Sequence, residues 1–194
     1  MLELNRISAG YGKQTVLDGI SVDFEKGKLT SIIGVNGCGK STLLKAILGI
    51  LSLSSGEIFI DGENLLTISR NEIAKKIAYL SQGKNIPDMT VEQMVLHGRF
   101  PYLSYPRRYS SHDREVAIKA MEIVGVAEFA HKPLYSLSGG MRQNAYIAMA
   151  LAQDTDYILL DEPTTYLDIA HQLELMRLLK QLSDNGKGIV TVMH

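Results

Sequence analysis

The chain has 194 residues, 45% of them hydrophobic and 21% charged. This is the balance of an average globular protein, with enough apolar material for a real core. A formal net charge of −1 provides no global basic field of the kind nucleic-acid binding uses, and a single cysteine, Cys38, excludes an intrachain disulfide. No basic segment followed by an apolar run opens the chain, and its longest apolar stretches fall far short of the ~20 residues that cross a bilayer, so work at a membrane would rely on another protein's spans.

Period-two patterning over residues 2–8 and 16–24, with Leu2/Leu4 and Val22/Phe24 on common faces, predicts two strands, read as antiparallel. Residues 28–35 form an apolar run and predict a buried strand. A glycine-rich turn at 34–39 leads into helical spacing over 40–48, closed by Gly49. Residues 57–60 predict a strand entering a tight turn at Asp61-Gly62. A short helix or turn at 71–76 precedes a strand at 77–81. Thr90-Val-Glu-Gln93 matches a capping box and opens a helix toward His97. Residues 100–110, rich in Pro, Tyr and Arg and without a period, predict a loop. An amphipathic helix follows at 113–124, ending at Gly125, and another runs from Ser138 to about Ala152. Residues 157–160 are a short continuous apolar strand, the pattern of a parallel sheet covered on both faces. A helix over 169–182, stopped by Asn185-Gly186, and an apolar strand over 188–193 end the chain.

Three groups of residues point to phosphate chemistry. Gly34-Val-Asn36-Gly37-Cys38-Gly39-Lys40-Ser41 fits G-x-x-x-x-G-K-[ST] between a strand and a helix. Its glycines let backbone N–H groups form a nest around phosphates, and the helix start adds positive potential. Lys40 should reach the β- and γ-phosphates, Ser41 should place a hydroxyl on Mg²⁺, and Thr42 can touch phosphate. Cys38 reads as a small residue suited to a tight loop rather than a nucleophile. Asp161 and Glu162 end an apolar strand at its carboxyl edge, where parallel sheets bind ligands. Asp161 suits the Mg²⁺ shell and Glu162 the polarising of an attacking water. Ser138-Gly139-Gly140 forms a second capped helix start with exposed N–H groups, a second anion site that makes sense only against a nucleotide held elsewhere.

Over essentially its whole length the sequence resembles the ABC ATPase family. Residues 34–41 resemble its Walker A motif, 157–162 its Walker B, and 137–143 its signature motif. Gln82 corresponds to the Q-loop, Tyr11 to the aromatic A-loop that stacks on adenine, residues 166–168 to the D-loop and His194 to the switch histidine.

The resemblance implies an α/β fold: a P-loop NTPase core with a mainly parallel sheet, an N-terminal antiparallel β subdomain, and a helical subdomain inserted between the Q-loop and the signature motif. On this division residues 1–82 and 153–194 form the β subdomain and nucleotide-binding core and 83–152 the helical subdomain, within a single domain 1–194. Family domains continue with further strand and helix past the switch histidine, so the C-terminal part is expected to be missing.

The resemblance also implies a head-to-tail homodimer closing on two ATP molecules with Mg²⁺. Ser138, Gly139 and Gly140 of one copy would then face the γ-phosphate held by Lys40 of the other. Asp168 would communicate across the interface. Gln82 would join the metal site and link nucleotide state to an integral membrane permease, and His194 would steady the attacking water. Residues 161–172 and 97–102 are similar to importer ATPases for ferric siderophores, haem and cobalamin. The implied role is a motor peripheral on the cytoplasmic face of the membrane, serving a permease and, indirectly, a substrate-binding protein, without nucleic acid. The alternatives are another class of ABC importer or a soluble ABC ATPase. Met141, Asn144 and Val35 depart from the family's usual Gln, Arg and Pro. His97, His112, His131 and His171 show no metal-ligand spacing and read as surface or packing residues.

Overall fold

Two four-stranded sheets share one helix between them in the computed structural model, which describes residues 1–81, 86–165 and 167–193. The first sheet is antiparallel. Strands β1 (Leu2–Tyr11) and β2 (Gln14–Phe24) form a hairpin, and β4 (Leu53–Ile60) and the short β5 (Glu63–Asn64) extend it in the order β2-β1-β4-β5. Alternation on β1 sends Leu2, Leu4, Ile7 and Ala9 inward, all fully buried, each larger side chain contributing about 1.5–3 kcal/mol by leaving water. The β4–β5 turn places Asp61 (φ 51°) and Gly62 (φ 82°) in the left-handed region, as a two-residue hairpin requires.

The second sheet is parallel, built from β3 (Leu29–Ile33), β6 (Ile77–Leu80), β7 (Tyr157–Asp161) and β8 (Gly188–Met193) in the order β3-β8-β7-β6. All five residues of β7 are buried, and successive side chains serve opposite cores. Tyr157 and Leu159 pack with α1 (Lys40–Ile47) and the first sheet. Ile158 and Leu160 pack with α3 (Val91–Leu96), α4 (Ser111–Ile123), α5 (Gly139–Ala152) and α6 (Ile169–Asp184). A further helix, α2 (Arg70–Lys76), leads into β6.

Local chemistry sets the helix ends. Thr90 and Gln93 form the expected capping box, and Ser110 with Asp113 forms a second one. Beyond α1, Gly49 (φ 64°) closes the last turn, its N–H donating to the Ala46 carbonyl at 3.0 Å.

Three expectations change. The strand at 29–33 is not buried: β3 is the outer strand beside β8, and Ile33 is 75% exposed. The stretch read as a loop from residue 100 is partly a 3₁₀ segment, His97–Tyr102, anchored by the buried Arg99. Strand β1 runs past residue 8 to Tyr11, which carries that ring to the mouth of the cleft described below.

Candidate functional site

The loop between β3 and α1 meets the carboxyl end of β7 in a cleft of about 460 Å³, lined by Tyr11, Val16, Asn36, Gly37, Gly39, Lys40, Ser41, Thr42 and Glu162. Helix α1 begins without a side-chain cap: its N-cap is Gly39 at φ 102°, a conformation that suits glycine. Its first amides therefore have no capping oxygen from the chain and a dipole that favours an anion. Lys40 is 8% exposed. Its ammonium donates to the carbonyls of Gly34 (2.6 Å) and Val35 (3.0 Å), which uses two of its three N–H bonds.

Gly34 and Cys38 belong to the loop but do not line the cleft. A Cβ on Gly34 would lie 2.8 Å from the Cys38 sulfur, so the pair sets the loop's shape. The Cys38 amide closes the turn onto the Val35 carbonyl at 3.3 Å. Tyr11 is half-exposed at the other end, with the Lys45 ammonium 5.8 Å from its ring centre.

The Ser41 hydroxyl donates to Asp161 Oδ1 at 3.0 Å and the Tyr79 hydroxyl to Oδ2 at 3.2 Å. Burial, then the negative charge of Asp161, push the Tyr79 phenol well above its usual range. A hydroxyl and a carboxylate side by side are hard oxygen donors, the set that suits Mg²⁺. Glu162 follows with φ 52°, a strained value for a non-glycine residue, of the kind that persists where surrounding structure over-determines it. Its amide donates to the Val192 carbonyl (3.1 Å), and its Oε2 accepts from the Thr165 hydroxyl (3.2 Å).

A second locus shares no lining residue with this cleft. Ser138 caps α5, its hydroxyl accepting from the Met141 amide at 3.3 Å. Gly139 is open on the outside, whereas a Cβ on Gly140 would come within 2.3 Å of the His171 ring. That ring is fixed in turn: Asp168 caps α6, accepting from the His171 amide at 2.9 Å and lying 2.8 Å from its Nδ1. The His171 amide and then its ring hold the Asp168 carboxyl below its usual range. Asn144 donates to the Val124 carbonyl (3.0 Å), tying α5 to the end of α4, and Met141 packs against the helical core.

The structure thus brings Tyr11, Asn36, Gly37, Gly39, Lys40, Ser41, Thr42, Asp161 and Glu162 together. It places Ser138, Gly139, Gly140 and Asp168 at the second locus. Gln82, Tyr166 and His194 lie outside the described residues. Sequence reasoning missed Val16, Tyr79 and His171. The one available signal was a hydroxyl-bearing aromatic in the otherwise apolar strand that ends beside Asp161.

A strand, a glycine loop and a helix opened by lysine, set on a parallel sheet beside an antiparallel one, define the P-loop class of α/β proteins. Residues 17–165 match the family model described as ABC transporter, and the chain belongs to that family. It is 43% identical over 195 aligned positions to the petrobactin import ATP-binding protein FpuD of Bacillus anthracis, covering all of this chain and 71% of that protein. It is 43% identical, again over 195 positions, to the iron(3+)-hydroxamate import ATP-binding protein FhuC of Bacillus subtilis, covering all of this chain and 72% of the relative. Among solved structures, the dimeric bacterial ABC transporter cassette MJ0796 superposes with a TM-score of 0.83 at 30% identity, over all of this chain and 88% of that one. Among the described residues no helix is long and apolar enough to cross a membrane.

Proposed function

We propose that this chain is the ATP-binding and ATP-hydrolysing subunit of an importer for iron–siderophores or related chelates. In this reading two copies work as a head-to-tail pair beneath an integral membrane permease, on the cytoplasmic face of the membrane. The observation that carries the ATPase reading is the Ser41–Asp161 contact of 3.0 Å, made by the residue after the buried Lys40 at the start of an uncapped helix. The import proteins for petrobactin and iron(3+)-hydroxamate support the cargo class, and the dimeric cassette supports the pairing.

Each residue then has a task. Tyr11 stacks on the adenine, and its half-exposed ring at the cleft mouth suits that. The amides of residues 36–42 and the Lys40 ammonium grip the triphosphate, while Gly34 and Cys38 keep the loop in shape. Ser41 and Asp161 would hold Mg²⁺, with Gln82 as the resemblance implies; the bound ion supplies charge neutralisation of the phosphate oxygens. The Glu162 carboxylate accepts a proton from water as that water's oxygen bonds to the γ-phosphorus and the bond to the ADP oxygen breaks. Thr165 orients Glu162 through its hydroxyl. His194 steadies the water, again as the resemblance implies. Ser138 and the amides beside Gly139 complete the γ-phosphate site of the other copy, and Asp168 reports across the interface. Residues 83–152, read as a helical subdomain, contact the permease, through which the chain serves a substrate-binding protein.

The test is Glu162→Gln. Turnover should fall by about 100-fold or more, the low end of what a positioned general base contributes, while ATP still drives pairing, as read by analytical ultracentrifugation. Unchanged turnover would remove Glu162 as the base. For the cargo, the chain co-expressed with a permease should show ATP hydrolysis stimulated by a ferric hydroxamate–loaded binding protein; stimulation by an unrelated cargo only would contradict the importer class.

A further inference from the structure

Asp161 is 6% exposed, and a carboxylate so placed is costly unless its oxygens are hydrogen-bonded. Both oxygens are used, one by Ser41 and the other by Tyr79. Both donors are neutral, and among the described residues Asp161 forms no ion pair. The carboxylate is thus held in place without its charge being cancelled.

The two hydroxyls arrive from different elements. Ser41 is the second residue of α1, so it belongs to the phosphate loop. Tyr79 stands on β6, paired with Leu159 of β7 two residues before Asp161. Its ring packs against the core that α1 shares with both sheets, which fixes where the hydroxyl lies. The same strand ends at Leu80, two positions before Gln82 in the sequence.

We infer that Tyr79 is a positioning residue for the divalent-cation site: its hydroxyl pins one oxygen of Asp161 so that the other stays beside the Ser41 hydroxyl, ready for the ion. This rests on the reading of Ser41 and Asp161 as the residues that hold Mg²⁺. Hydrogen-bond partners of metal ligands orient those ligands, and losing one commonly weakens metal binding 10- to 100-fold. The Tyr79 contact comes from outside the glycine loop, so the geometry of the ion site depends on a strand that is no part of the phosphate cradle.

The experiment uses Tyr79→Phe, which keeps the ring and removes only the hydroxyl. Mn²⁺, visible by electron paramagnetic resonance, is titrated into the protein saturated with ADP, and free Mn²⁺ is read directly without any turnover. Tyr79→Phe should bind Mn²⁺ about tenfold more weakly than the native chain. Its affinity for ADP in EDTA should stay within about twofold, because a packing defect that deformed the cleft would lower both. Asp161→Asn is measured alongside. If Asp161→Asn weakens Mn²⁺ binding and Tyr79→Phe leaves it native, the role of Tyr79 is overturned while the Mg²⁺ site stands. If Asp161→Asn itself binds Mn²⁺ as the native chain does, the reading of Asp161 falls and the inference with it. A loss of ADP affinity in EDTA as large as the loss for Mn²⁺ would make Tyr79 a structural residue and overturn the proposal.

Discussion

Helices α1 and α5 both start beside glycines, and the two starts are finished differently. Helix α1 begins at Gly39 with no side-chain cap, a buried lysine and a serine bonded to a carboxylate. Helix α5 begins at Ser138, whose own hydroxyl satisfies the Met141 amide, with Gly139 open to the outside. The first lacks a capping oxygen and is enclosed, which suits a ligand carried within the chain. The second is already capped and faces outward, which suits a phosphate presented by something else. In the proposed pair a second copy of the chain would present that phosphate, and the difference between the two starts is the physical argument for a head-to-tail arrangement.

The largest effect is expected at the other end of α5, where the helix that carries the second start is anchored. Arg99 and Asp113 form a buried pair at 2.9 Å, and Arg99 also donates to the Ala152 carbonyl at the end of α5 and stacks on Tyr102. Burial raises the Asp113 carboxyl, but the two hydrogen bonds from Ser110 and the Arg99 charge outweigh it and bring it down to about 2. Because the folded value lies below the usual 3.8, this stabilisation is complete above that pH and is lost as pH falls through about 2. Asp113→Asn leaves a buried guanidinium without its counter-charge and should cost about 3–5 kcal/mol in chemical denaturation at neutral pH. It should also remove that share of the acid dependence between pH 4 and 2. A loss below 1 kcal/mol would mean that α5 is held by apolar packing alone.

A smaller and sharper contrast lies within the second start itself. Gly140→Ala puts a Cβ into the His171 ring, which can yield only by giving up Asp168, and should cost about 1–3 kcal/mol of stability. Gly139→Ala meets nothing in the chain and should leave stability within about 0.5 kcal/mol, yet hinder ATP-driven pairing. If Gly139→Ala paired normally, the open side of α5 would not be where the neighbour's phosphate sits.

Local features of this fold were legible in the residues because the atoms that decide them are neighbours. The capping box at Thr90, the left-handed closure at Gly49 and the Asp61-Gly62 turn each depend on a few adjacent positions. The glycine loop, Asp161 and Glu162 were readable because phosphate chemistry demands those residue types at that spacing. What was not legible depends on strand order and long-range approach. Burial of β3 was overestimated because its neighbour on one side, β8, comes some 160 positions later and nothing local says that β3 lies at the edge of the order. Tyr79 reads as one more core aromatic until β6 is laid beside β7. His171 reads as a surface or packing residue, and what it packs against is settled only when α6 is set against the start of α5. The 3₁₀ segment at His97–Tyr102 has no apolar period to announce it, and Arg99 there acquires its partners 14 and 53 residues away.

The central claim is that each ATP is held by Lys40 of one copy and Ser138 of the other, and a mixing experiment tests it directly. Lys40→Ala and Ser138→Arg, each in a Glu162→Gln background so that ATP is not consumed, are examined by analytical ultracentrifugation alone and then together with ATP. Alone, each variant has one damaged element in both sites and should remain monomeric. Mixed, one of the two sites recovers an intact lysine and an intact helix start, so ATP should drive a heterodimer. A mixture that stays monomeric under ATP, or a Ser138→Arg protein that pairs on its own as well as its Glu162→Gln parent, would contradict the account.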